Sequence, residues 1–184
     1  MNKFNFIQTK IKHLYIIETN IYGDNRGYFF ESYNKKDFFE AGLTMNFVQD
    51  NESKSKYGVL RGLHYQLPPY TQAKLVRVVK GRVLDVAVDI RKGSPTFGKY
   101  VAVELSEENK LQFFLPKGFA HGFAVLSEEA IFQYKCDEYY APDYEGAICF
   151  DDPDLGIDWR LPLEDIILSE KDKKHPRLRD AILL

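Results

Sequence analysis

The chain has 184 residues, 45% of them hydrophobic and 15% aromatic, which is enough apolar side chain for one sizeable core within the size range of one domain. Charged residues make up 28% in nearly balanced signs, with a formal net charge of -2, which excludes capture of nucleic acid by a basic surface. Cys136 and Cys149 lack CxxC spacing, which excludes a disulfide framework or zinc ribbon, and no run approaches the roughly 20 apolar residues of a membrane-spanning helix.

In chain order, the N-terminal MNKFNFIQTK breaks its apolar residues with polar ones, unlike a secretory leader, so a cytoplasmic location is expected. Strand signals follow at 13–19, 28–33, 59–66, 75–79, 83–90, 99–105, 112–115, 122–126 and 131–138. Each is rich in Val, Ile, Phe and Tyr and bounded by Gly, Pro, Asn or Asp. One short helix is expected at 35–41, and the charged tail, 169–184, is expected to be helical or irregular. The spacing leaves little room for crossover helices, so the class is an all-β sandwich or barrel, read as a single domain over 1–184. In 83–90, Leu84, Val86, Val88 and Ile90 share one face, and Val83, Asp85, Ala87 and Asp89 share the other. This predicts one core face and one more polar face, suited to a barrel interior or an interface.

Two classes of cofactor are tested by motif. No GxGxxG opens a βαβ unit and no Walker-type phosphate loop is present, so a dinucleotide is not expected. The run PKGFAH at 116–121 matches the PxGxxH half of the cupin signature, which places its histidine inside a β-barrel. The other half calls for His-x-His and an acidic ligand, where this chain has His64-Tyr65-Gln66. His64, His121 and Gln66 make a poor ligand set for a divalent ion, so neither metal nor cofactor is expected. The run DDPD at 151–154 lacks the spaced ligands and Gly of a calcium loop and is read as a solvated turn.

Six runs in order carry a resemblance: DNRGYFFE (24–31), QDNESKS (49–55), GVLRGLHYQ (58–66), QAKLVR (72–77), 85–98 ending in SPTFG, and PKGFAHGF (116–123). With Tyr134, Glu145 and SEKD at 169–172, the chain resembles the dTDP-4-dehydrorhamnose 3,5-epimerase family over almost its whole length. That resemblance implies a cupin-like jelly roll with a few short helices, a homodimer, no cofactor, and inversion of a nucleotide-linked 4-keto sugar by direct proton transfer.

His64 takes the family position of the general base, a role suited to an imidazole with a pKa of about 6.5. Asp172 is implied as the partner that fixes its tautomer. Tyr134 is implied as the acid on the opposite face of the sugar, since a phenol with a pKa of about 10 holds its proton at neutral pH. Lys74 and Arg61 are the cations implied for the enolate. Arg61 and His64 stand three apart and would point to opposite faces of a regular strand, unless Gly62 hosts a bulge. Arg26, Glu31, Gln49, Asn51, Glu145 and Lys171 match positions that contact the nucleotide sugar, and His121 sits nearer the ring. Phe29, Phe30 and Tyr139 are candidates to stack on the base, with core packing as the default. In the dimer so implied, the N-terminal β segment carries Arg26 and Glu31 into the partner's pocket. Competing readings are an epimerase of one carbon or of another nucleotide sugar, such as a GDP-linked heptose, and a non-catalytic sugar-binding jelly roll.

Overall fold

Short apolar runs separated by turn residues become strands of two antiparallel sheets in the computed structural model, which describes residues 3–184. In chain order come β1 (Phe4–Gln8), β2 (Tyr15–Thr19), β3 (Tyr22–Asp24), β4 (Gly27–Phe29) and the helix α1 (Lys35–Glu40). Then follow β5 (Gln49–Lys56), β6 (Leu60–Gln66), β7 (Lys74–Lys80), β8 (Arg82–Asp89) and β9 (Tyr100–Ser106). The last strands are β10 (Gln112–Leu115), β11 (Phe119–Val125), β12 (Glu129–Cys136) and β13 (Glu145–Ala147). One sheet has the order β1-β2-β10-β7-β12-β5, the other β13-β6-β11-β8-β9, and β3-β4 form a separate hairpin. This is the expected all-β sandwich, with one short α-helix. Among the described residues no helix is long and apolar enough to cross a membrane.

The expected strand at 28–33 ends at Phe29 and pairs only within the hairpin, and strands at β1, β3, β5 and β13 were not anticipated. Asn34 caps α1 by accepting from the amides of Lys36 and Asp37. Gly42, at φ +84, ends it, with Leu43 N donating to Phe38 O at 2.9 Å. The tail is irregular, broken by 3-10 turns at Asp172–Lys174 and Leu178–Asp180.

The sandwich has apolar material on both sides of its smaller sheet. Val76, Val78, Phe113, Leu115 and Phe132 of the larger sheet meet Val83, Ala87, Val101, Val103, Phe123 and Val125 of the smaller. On the outer face, Leu84, Val86, Val88 and Ile90 pack under a C-terminal layer that includes Ile148, Leu155, Trp159 and Leu178. The expectation of one core face and one more polar face in β8 is corrected accordingly: both faces are buried, and the two aspartates lie among apolar neighbours. Asp85 accepts from His121. Asp89 takes hydrogen bonds from Arg91, Ser94 and Thr96, which outweigh its burial and hold its carboxyl at about 2.

The solvated turn expected at 151–154 is also corrected at one position. Asp152 is buried, and its carboxylate accepts from Asp154 N at 2.9 Å and Leu178 N at 2.6 Å, tying the tail to the sheet.

The strand β6 carries the irregularity that matters most for the site. Between the paired residues His64–His121 and Arg61–Phe123, β6 advances three residues while β11 advances two. This is a bulge at Gly62, as the spacing of Arg61 and His64 required. Gly62 has φ +130, and a Cβ there would meet Gly122 Cα at 2.5 Å and His121 O at 2.8 Å. Gly62→Ala is expected to cost roughly 3 kcal/mol from backbone strain and overpacking, read as a lower denaturation midpoint in urea.

Candidate active site

A cavity of about 470 Å³ lies between the sheets, with Arg61, His64, Lys74, His121, Tyr134, Glu145, Lys171 and Asp172 on its wall. A neighbouring hollow of about 320 Å³ shares His64, Lys74, Tyr134 and Glu145 and adds Gln49, Asn51 and Tyr140. The smaller sheet contributes Arg61, His64 and His121 from β6 and β11, and the larger contributes Lys74 and Tyr134 from β7 and β12. Glu145 comes from β13, while Lys171 and Asp172 come from the tail.

The Nε2 of His64 lies 2.7 Å from Oδ1 of Asp172, and the carboxylate is buried. Burial alone would raise the Asp172 pKa, but the hydrogen bond and charge of His64, with help from Ser169, hold it below the usual carboxylate value. An ionised carboxylate can only accept, so Nε2 carries the hydrogen, and in the neutral imidazole Nδ1 then keeps its lone pair. The second histidine of the wall has its own acid: His121 Nε2 stands 2.9 Å from the fully buried Asp85. The two histidines are directly opposite one another across β6 and β11.

Burial lowers the pKa of Lys74, against the raising influence of Cys136, Asp85 and Glu145. Among the described residues no carboxylate lies within ion-pairing distance of it. Its Nζ is 5.8 Å from the centre of the Tyr134 ring. Burial raises the Tyr134 pKa, so the phenol keeps its proton at neutral pH. Burial also pushes the Cys136 thiol up to about 11, leaving it un-ionised and a weak nucleophile.

Arg61 donates from Nε to Ser55 Oγ at 3.2 Å. Glu145 is buried enough to raise its pKa, yet Lys171 Nζ at 2.6 Å and the Tyr140 hydroxyl at 2.9 Å bring it below the usual value. Gln49 donates to Asn51 Oδ1 and accepts from Tyr140 N, each at 3.0 Å. Gln66 is buried and occupied, donating to Tyr70 O and Tyr139 O and accepting from Ala141 N.

Ten of the twelve expected site residues therefore line the two hollows, and Arg26 and Glu31 do not. Arg26 sits at the tip of the β3-β4 hairpin, largely exposed and paired with Asp24. Glu31 accepts from Lys3 at 2.8 Å. The default of core packing is corrected for two aromatics, since Phe29 and Tyr139 are 66% and 62% exposed. Phe30 lies under the Arg77 guanidinium at 5.7 Å.

Three neighbours of the site escaped the sequence. Tyr140 and the partnership of Asp85 with His121 depend on loop closure and strand register. His175 stands edge-on to His64 at 5.3 Å between ring centres, and burial followed by the His64 charge lowers its pKa. A lone His-Pro step in a charged tail carries no periodic signal.

The model of the dTDP-4-dehydrorhamnose 3,5-epimerase family matches residues 8–180. A dTDP-4-dehydrorhamnose 3,5-epimerase from Methanothermobacter thermautotrophicus is 53% identical over 181 residues, covering 98% of this chain and 97% of the relative. The crystal structure of the enzyme of that name from Elizabethkingia anophelis superposes with a TM-score of 0.93 at 56% identity, covering 97% of this chain and 98% of the other. A structure of dTDP-6-deoxy-D-glucose-3,5-epimerase from Legionella pneumophila in complex with dTDP-4-keto-L-rhamnose also gives 0.93, at 57% identity, with coverage of 96% and 94%.

The dyad geometry predicts a tautomer. In 15N NMR at a pH where His64 is neutral, Nε2 should carry the hydrogen and Nδ1 should be bare. Asp172→Asn should mix the two forms, because the amide offers both a donor and an acceptor.

Proposed function

The chain belongs to the dTDP-4-dehydrorhamnose 3,5-epimerase family, and from that membership we infer that His64 is the base and Tyr134 the acid of its reaction. The activity is that of a dTDP-4-dehydrorhamnose 3,5-epimerase, an isomerase of dTDP-rhamnose biosynthesis acting on a dTDP-sugar. It inverts C3 and C5 of dTDP-4-dehydro-6-deoxy-D-glucose to give dTDP-4-dehydro-L-rhamnose. Residues 1–184 act as one catalytic domain in this proposal.

The hydrogens on C3 and C5 flank the C4 carbonyl, so removing either leaves an enolate with its charge on the C4 oxygen. His64 takes the proton on Nδ1, and Asp172 stabilises the imidazolium through Nε2–H. Lys74, whose ammonium has no carboxylate partner, meets the enolate oxygen, with Arg61 as a second cation. Tyr134 then returns a proton from the other side of the ring, and the cycle repeats at the second carbon. One observation supports this division of labour above others: His64 and Tyr134 belong to different sheets and border one cavity. His121 is assigned to the sugar ring. Gln49, Asn51, Glu145 and Lys171 are assigned to the nucleotide and its diphosphate.

Arg26 and Glu31 are assigned to the pocket of a partner subunit, which makes the working form a homodimer. Their distance from the hollows of their own chain supports this, as do the exposed Tyr22, Tyr28 and Phe29 of the hairpin that presents Arg26.

His64→Asn should lower kcat by about 10²–10⁴-fold, with an equal loss of deuterium wash-in at C3 and C5 from D2O. Tyr134→Phe should keep exchange while losing inversion. Exchange at the normal rate without His64 would remove it as the base. Mixing inactive His64→Asn and Arg26→Ala proteins should restore turnover that neither has alone, whereas no recovery on subunit exchange would count against a shared pocket.

A further inference from the structure

The proton transfers above give His175 no task, yet it is buried against the residues that do have one. Its side chain is 7% exposed, and among the described residues neither ring nitrogen has a hydrogen-bond partner. Leaving such atoms unsatisfied costs roughly 1–3 kcal/mol, and an uncompensated polar atom in a folded protein calls for an explanation.

The geometry around it is that of a ligand set. Nε2 of His175 is 3.6 Å from Oδ1 of Asp172, and Nε2 of His64 is 2.7 Å from the same oxygen. The ligand atoms of His64, Asp172 and His175 all lie within 4.8 Å of one another. Two imidazoles and a carboxylate suit a tetrahedral zinc-class ion, bound at about 2.0–2.2 Å with ligand atoms roughly 3.3 Å apart and a solvent oxygen in the fourth position. The His175–Asp172 spacing already fits, the His64–Asp172 pair would open by less than about 1 Å, and the two histidine nitrogens, within 4.8 Å of each other, would close on the ion. His64 and Asp172 border the cavity, which gives the fourth position access to solvent. The nearby Lys171 ammonium is neutralised by Glu145 at 2.6 Å and does not repel a cation with its full charge.

We propose that His64, Asp172 and His175 form an inhibitory site for a divalent transition-metal ion of the zinc class. The site is distinct from the incomplete cupin set, which would have used His121 and Gln66. The inhibition rests on His64 being the base. In the resting dyad the hydrogen is on Nε2 and the lone pair on Nδ1. A metal on Nε2 displaces that hydrogen through solvent to Nδ1, so the imidazole stays neutral but loses the lone pair that takes the substrate proton. The same bond takes Asp172 away from the ring. Hard cations such as Mg²⁺, which favour oxygen ligands, do not replace it.

The test uses the full-length protein stripped of metal and titrated with Zn²⁺ in a non-chelating buffer, by calorimetry and by epimerase turnover. One ion per chain is expected, with binding and inhibition sharing a midpoint, reversal by EDTA, and no effect of Mg²⁺. The thermal midpoint should rise with Zn²⁺, a readout that needs no variant. His175→Asn and His175→Gln should weaken Zn²⁺ binding by at least about tenfold, and the turnover they retain should become resistant to Zn²⁺ to the same degree. Co²⁺ should give the visible absorption of a four-coordinate site in the parent protein and not in either variant. Absence of stoichiometric binding, or binding that ignores both His175 substitutions, would overturn the site. Stoichiometric, His175-dependent binding without inhibition would overturn the inhibitory role and point to an error in the assignment of His64, which the deuterium experiment tests separately.

Discussion

The register of one strand organises the site. Because β6 advances three residues where β11 advances two, Arg61 and His64 both turn inward, while Leu60, Leu63 and Tyr65 turn outward into the C-terminal layer. A regular strand would bury one of the two polar side chains in that apolar layer and leave it without partners. Gly62 and Gly122 make the exception possible, since neither backbone leaves space for a Cβ where the strands approach. From that register follow the direct opposition of His64 and His121 and the reach of His64 to the tail.

The cavity is also an electrostatic arrangement with one deliberate imbalance. Each histidine of the wall has its own carboxylate, and Lys171 and Glu145 satisfy each other. Among the described residues Lys74 alone of the wall's ammonium groups lacks an acid, and its charge is held against the cost of desolvation. On the role proposed for Lys74, its ammonium meets the charge of the enolate without first breaking an ion pair.

Much of this was legible in the residues, and what was not has physical reasons. Apolar alternation marked the inner strands well. It missed β5, QDNESKSK, because both of its faces are polar: Gln49, Asn51, Ser53 and Ser55 alternate with the solvent-facing Asp50, Glu52, Lys54 and Lys56. A strand that lines a hydrophilic pocket at a sheet edge looks like a loop to any test based on hydrophobic period. In β8 the alternation was visible, but its meaning depended on a second apolar layer laid down by residues far along the chain. The resemblance pointed to His64, Lys74, Tyr134 and Asp172, which do border one cavity. Local sequence had no means of flagging His175, whose position is set by the docking of an irregular tail rather than by any repeat.

That tail has a temporal consequence. Asp172 lies 108 residues beyond His64, on a segment anchored through Asp152 to Leu178 and through Cys149 N to Pro176 O. During synthesis, both sheets can be complete while His64 still lacks its carboxylate partner, and the tautomer is set only once the segment carrying Asp172 has docked. On the proposed assignment of His64, chemistry is thereby switched on after the sandwich that is to hold the enolate has already formed.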